Sequence, residues 1–495
     1  MIRGGLQEPG DSGTYDAETS LAGLDFGPEF LNPFFEPTAR NWRQLLAAYH
    51  EWVHHYQYHA TTYGYLYRMV SNAQLLLANG VLRVARQERG RRRVSLPLTA
   101  RNEPLTAADN PIDLNLRLIT MLQTQRDGIL GYGQHVSMDD MQEWIFACKA
   151  MGQLFGGPLA FVIEPTFMPE PAKIRYRVTD LLETHAHVLS SMWLMLAVDR
   201  MDGDRHISRE AVRLANEQLV GPYAAFTQFV PGIAGTPEEQ LKLFCALAEI
   251  ALNPVGIHRH PKQSWETVMT PLYTSWFPVV RMESMMSWAM DGDLAWPGGE
   301  WPGIGAAIIA AVSETSQQHG NPPGAFLPEV DGMAAGPALQ RVVDRVALYA
   351  GVDDDVPPEL LAFQLDALAK LCAAEELKQQ VPLLLSGVVI EELRLLVSRL
   401  AGPTARCNYD GGSQTLIGAC TGLMRLDLLS PGTVVAGSDA IVNDGAPIAH
   451  ALHLLLLHSR AELEARADQP LLALKKWTLR TVLAEHYGMA LSDFD

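Results

Sequence analysis

The chain has 495 residues, of which 48% are hydrophobic and 19% charged, and a net charge of −18. That composition builds a large globular core, and the acidic balance excludes nucleic acid as a general partner, because phosphate binding needs a cationic surface. Five scattered cysteines without a CxxC pair exclude a disulfide framework and point to a reduced, cytoplasmic protein.

Taken in chain order, the first 20 residues, "MIRGGLQEPGDSGTYDAETS", lack the apolar stretch of a secretion signal. Residues 1–38 are rich in Gly, Pro and acidic side chains and read as irregular. From "TARNWRQLL" onward, apolar residues recur at spacings of three and four. This predicts helices over 39–60, 63–88, 112–130, 138–153, 177–200, 238–252, 268–290, 336–350, 357–376, 380–400, 441–463 and 470–487. Strand candidates are few and short: "RRRVSLPLT", "FVIEPTF" and "GTVVAG". The Gly-rich "CNYDGGSQTLIGACTG" matches no phosphate or dinucleotide fingerprint and reads as a loop. The apolar runs "GIGAAIIAAV" and "ALHLLLL" are about half the length that spans a bilayer, so no membrane segment is expected.

Two stretches dense in Gly and Pro, 291–305 and 318–336, suggest the main boundary. The expected organisation is an irregular N-terminal segment (1–38), a helical metal-binding catalytic domain (39–290) and a helical C-terminal domain (305–495). The fold class is mainly α, a multi-helical metalloprotein with short β segments. Its HExxH motif sits on a long N-terminal helix.

That motif is the chemical centre of the sequence. "LLAAYHEWVHHYQYHATTYGYLY" holds His50, His54, His55 and His59 with Glu51 among them. Residues four apart share a helix face, so His50 and His54 can aim their imidazoles at one metal ion. Glu51, about 100° around the helix, can still reach a water held by that ion and serve as general base. A catalytic zinc needs three protein ligands and one open position. The third candidate lies in "VTDLLETHAHVLSSMW", where Glu183 and His187 share a face. Glu183 is the expected ligand. His187 is the alternative ligand, or the group that orients Glu183. The plain readings stay open beside these: a helix with incidental histidines, and a buried polar pair at a helix–helix contact.

"HEWVH" followed far downstream by "ETHA" resembles gluzincin-type zinc metallopeptidases. That resemblance implies His50, His54 and Glu183 as zinc ligands and Glu51 as the base. The longer pattern of His50, Glu51, His54, Gln57, Thr61 and Gly64 also resembles uncharacterised bacterial HExxH proteins.

The expected activity is zinc-assisted hydrolysis of a peptide or amide bond, on a peptide or small-molecule substrate. The first alternative is a non-haem iron oxygenase of a biosynthetic pathway, mononuclear with two histidines and a carboxylate, or di-iron through the Glu51-x-x-His54 spacing. The second is a non-enzymatic helical protein with a structural metal. Zn is the expected cofactor, Fe the alternative. The remaining clusters read more plainly. Arg83, Arg86, Arg89, Arg91, Arg92 and Arg93 suggest a solvated helix end, and His450, His453 and His458 on an apolar helix suggest histidines satisfied within the core.

Overall fold

The computed structural model describes residues 13–18, 21–24, 42–88, 93–100, twelve positions between 115 and 135, 167–168, 176–198, 225–254, 277–298, 303–321, 323–328, 356–361, 363–364, 383, 386, 406–407, 415–418, 445–471 and 474–495. Among these the chain is mostly helical with a small antiparallel sheet. The helices expected over 138–153 and 336–350, and the strand expected in "GTVVAG", lie outside the described residues.

The chain opens with strands β1 (Gly13–Asp16) and β2 (Leu21–Leu24), so the segment expected to be irregular carries a hairpin. Helices α1 (Trp42–Ala60) and α2 (Thr62–Gln87) follow. Trp42, Leu46, Tyr49, Val53 and Tyr56 repeat at the helical period and are all buried, which is why α1 forms and how it is oriented. Beside that apolar stripe runs a polar one, His50, His54 and Gln57, offset around the same helix. The corner between α1 and α2 is made by Thr61, whose hydroxyl caps α2 by accepting from the Gly64 N–H at 2.9 Å.

After the two-residue parallel pair β3 (Gln134–His135) and β4 (Phe167–Met168) comes α3 (Val178–Val198). Every residue from Leu181 to Met192 is buried, because α3 lies among α1, α4 (Pro237–Leu252) and α5 (Pro278–Asp291). A capping box of Thr236 and Glu239, with Pro237 in the first turn, starts α4. Gly292, at φ +84°, ends α5 in the left-handed conformation. Next is α6 (Gly303–Gln318), built from the "GIGAAIIAAV" run, which was not among the expected helices.

Strands β5 (Arg406–Cys407) and β6 (Thr415–Gly418) complete a four-stranded antiparallel sheet in the order β1-β2-β6-β5. "CNYDGGSQTLIG" is therefore partly sheet rather than loop, with Leu21 opposite Gly418 and Leu24 opposite Thr415. Both β1 and β2 pack on α1. The C-terminal part contains α7 (Ala446–Leu457), α8 (Arg460–Glu464), the hairpin β7 (Pro470–Leu471) and β8 (Leu474–Thr478), and a short helix α9 (Leu479–Val482). The helix expected over 470–487 is thus corrected. Thr478 is extended, at φ −123° and ψ 163°, and caps α9 by accepting from the Thr481 N–H, so a strand ends and a new helix starts there. The buried core is one continuous cluster, drawing Val53, Leu82, Leu189, Ile250 and Met282 together with Leu452, Leu455 and Val482. Among the described residues no helix is long and apolar enough to cross a membrane.

Candidate metal centre

The polar stripe of α1 faces α3. His50 Nε2 and His54 Nε2 lie 3.1 Å apart. Glu183 Oε2, one turn into α3, lies 3.4 Å from the first and 3.3 Å from the second. Among the described residues, these three form the one group of His, Cys, Asp or Glu side chains whose ligand atoms all lie within 4.8 Å of one another. His54 and Glu183 are buried, and His50 is partly exposed. The site therefore opens on the His50 side.

Two imidazole nitrogens and a carboxylate oxygen suit a divalent ion such as zinc. A tetrahedral ion with bonds of roughly 2.0–2.1 Å would hold its ligand atoms about 3.3–3.4 Å apart. The triangle has edges of 3.1, 3.3 and 3.4 Å, and three ligands of a tetrahedron leave its fourth vertex open.

The electrostatics are those of a buried carboxylate paired with imidazole. Burial would raise the Glu183 carboxyl, but the adjacent His54 and His50 hold it well below the usual carboxylate range. Burial likewise opposes the charged form of His54, yet Glu183 outweighs it and pushes the imidazole up to about 9. A proton and a metal ion compete for that nitrogen. Glu51, 4% exposed, is raised chiefly by burial, with Glu183 adding and the two histidines opposing. A carboxylate held in that way has increased proton affinity, as a general base requires.

The surrounding residues divide the expected roles. The His187 ring centroid is 6.1 Å from that of His50, beside the triangle but not within it, and burial lowers its imidazole to about 3. The close group of donor atoms thus includes Glu183 and leaves out His187. His55 turns to Tyr15, whose hydroxyl lies 3.2 Å from its Nδ1. Tyr15 also stacks over His54 with ring centroids 6.4 Å apart. Nothing in the sequence around Tyr15 singles it out, because the strand that carries it is four residues long. Gln57, fully enclosed between α1 and α3, touches His54, Leu182 and His185.

No family model, no curated protein and no solved structure matches the chain. The likeness to gluzincins rests on "HEWVH" and "ETHA" alone.

Proposed function

We propose that this protein is a metal-dependent enzyme that hydrolyses a peptide or amide bond, with zinc held by His50, His54 and Glu183. The observation that carries this reading is the donor triangle, three buried or half-buried ligand atoms spaced as the edges of a zinc tetrahedron. An ion held there supplies Lewis acidity and lowers the pKa of water to roughly 7. Glu51 accepts the proton released as water attacks the carbonyl carbon, and returns it to the departing amine. His50 and His54 stay neutral as ligands, and Glu183 offsets part of the positive charge.

A peptide substrate is supported by β1. Among the described residues it is an edge strand, it packs on α1, and its Tyr15 stacks over His54. An open strand edge can hold an extended peptide by main-chain hydrogen bonds.

The same donors match the facial triad of non-haem iron oxygenases, which also leaves the opposite face open. Elemental analysis of protein purified without added metal separates the readings. Zinc at one equivalent supports hydrolysis, and iron supports oxygenation. A chain that binds neither overturns both. The His50→Ala and His54→Ala variants should each lose the metal while keeping their helical signal. Metal retained in full by either removes the site.

A further inference from the structure

Gln57 is 1% exposed and bridges the two helices that carry the donors. Its Oε1 lies 2.9 Å from His54 Nδ1, while its Nε2 lies 3.0 Å from the Leu182 carbonyl and 3.2 Å from His185 Nδ1. A backbone carbonyl can only accept, so the amide atom facing Leu182 must be the NH2 group. That fixes the orientation of the whole amide. The oxygen then faces His54, and His54 Nδ1 must carry the hydrogen it donates. The second amide hydrogen goes to His185 Nδ1.

The consequence falls on the other nitrogen of His54. With the hydrogen held at Nδ1, the lone pair of the neutral ring sits at Nε2, the atom that faces His50 and Glu183. Leu182 immediately precedes Glu183, so the amide that orients one ligand is anchored on the backbone beside another. We propose that Gln57 is the positioning residue of the site, holding His54 in the Nδ1–H tautomer and tying its ring to the helix that presents Glu183. This inference rests on the metal-binding reading above.

An amide in this place does something a carboxylate would not. A carboxylate partner raises the basicity of the ligating imidazole, whereas a neutral amide orients the ring and adds no negative charge. His185 completes the arrangement by fixing the second hydrogen of the amide, so Gln57 has no free rotamer within its hydrogen-bonding pattern.

The test uses the full chain and zinc alone. Gln57→Met keeps the buried volume and removes the acceptor, and Gln57→Glu keeps an acceptor for His54. Two readouts are taken: zinc affinity by chelator competition, and the exchange-protected His54 Nδ1–H proton resonance, assigned by its disappearance in His54→Asn. The resonance should be present in wild type and Gln57→Glu and lost in Gln57→Met, whose zinc affinity should fall roughly 10–100-fold, the usual cost of losing a ligand's orienting partner. Unchanged zinc affinity in Gln57→Met overturns the assignment, and so does a wild-type chain whose His54 Nδ1 carries no protected proton, a readout that needs no variant to fold. A wild-type chain that shows the protected resonance but binds no zinc overturns the metal-binding reading instead.

Discussion

Thr61 and Gly64 lock the end of the HExxH helix to the start of the next one. The Thr61 hydroxyl donates back to the Gln57 carbonyl at 2.6 Å and accepts from the Gly64 N–H at 2.9 Å. One side chain thus closes α1 and opens α2. Gly64 is required by space rather than by its dihedral angles. A Cβ built there would lie 2.2 Å from the Gln57 carbonyl oxygen and 2.6 Å from the Tyr58 backbone. The recurrence of His50, His54, Gln57, Thr61 and Gly64 along the sequence thereby acquires a physical meaning, with two donor atoms, one orienting amide, one cap and one close approach.

Gly64→Ala should therefore destabilise the chain. The clash is with backbone, which cannot rotate away, and overpacking of that kind costs about 1–3 kcal/mol. The opposing gain from a stiffer unfolded chain is only about 0.4–1 kcal/mol. Urea unfolding monitored by circular dichroism should show a lower midpoint, together with weaker metal binding as the corner next to Gln57 shifts. A midpoint equal to or above that of wild type would mean that the two helices do not approach as closely as described.

The choice between Glu183 and His187 can be tested directly. Glu183→Ala removes a donor atom, so zinc affinity should fall by more than the roughly 10–100-fold typical of outer partners. His187→Ala should stay within that range, because its ring stands beside His50 rather than in the triangle. Isothermal titration with zinc reads both. The reverse order of severity would hand the ligand role to His187.

How much of this was legible in the sequence follows from the range of the interactions. Helices α1, α2 and α3 were visible because their apolar spacing is local. The donor triangle was visible because His50 and His54 are one turn apart and Glu183 and His187 repeat that spacing on a second helix. Tyr15 was not, since β1 is defined by pairing through β2 to residues 415–418, nearly the whole chain away. Nor was the buried carboxylate of Glu18, whose partners Arg126 and His453 come from separate segments. His453 was legible only as a core histidine. The run over 470–478 reads as helix by composition, and the extended Thr478 overrides that reading.

Glu18 supplies an acid-sensitive tie between the N-terminal hairpin segment and the core. Its carboxylate pairs with Arg126 at 3.1 Å and accepts hydrogen bonds from Tyr67 and Ser71. Asp16, Arg68, His450 and His453 line the same region. Burial opposes the charge, but Arg126, His453 and the two hydroxyls lower the carboxyl from 4.5 to about 2. A depressed acid contributes its stability above the unfolded value and loses it as pH falls from 4.5 toward 2, here about 3 kcal/mol. His453 acts in the same direction. Burial lowers it from 6.5 to about 4, so its contribution is lost as pH falls through that window. Wild type should lose stability steadily below pH 6.5. Glu18→Gln should be roughly 3–5 kcal/mol less stable at neutral pH, because Arg126 is left buried without its carboxylate, and its stability should depend less on pH below 4.5. Parallel pH curves for the two proteins would show that Glu18 is not the titrating group.

Glu51 separates the two enzyme readings. In hydrolysis it is a base and not a ligand, so Glu51→Gln keeps the size and hydrogen bonding of the side chain but cannot take up the proton. Zinc content should stay at the wild-type level while turnover of a peptide or amide substrate falls by roughly 10²–10⁴-fold, the usual worth of a positioned base. The wild-type pH–rate profile should show an acidic limb above the usual carboxylate range, because burial raises this group, and that limb should vanish in the variant. In an iron oxygenase the same substitution leaves oxygen activation at the metal intact, so substantial activity should remain. A fall in metal content would make Glu51 a ligand, as a di-iron site with Glu51-x-x-His54 requires. Unchanged metal with near-normal turnover would rule out the hydrolytic mechanism even with His50, His54 and Glu183 established as ligands, since Glu183, the one carboxylate of the triangle, would then be committed to the metal.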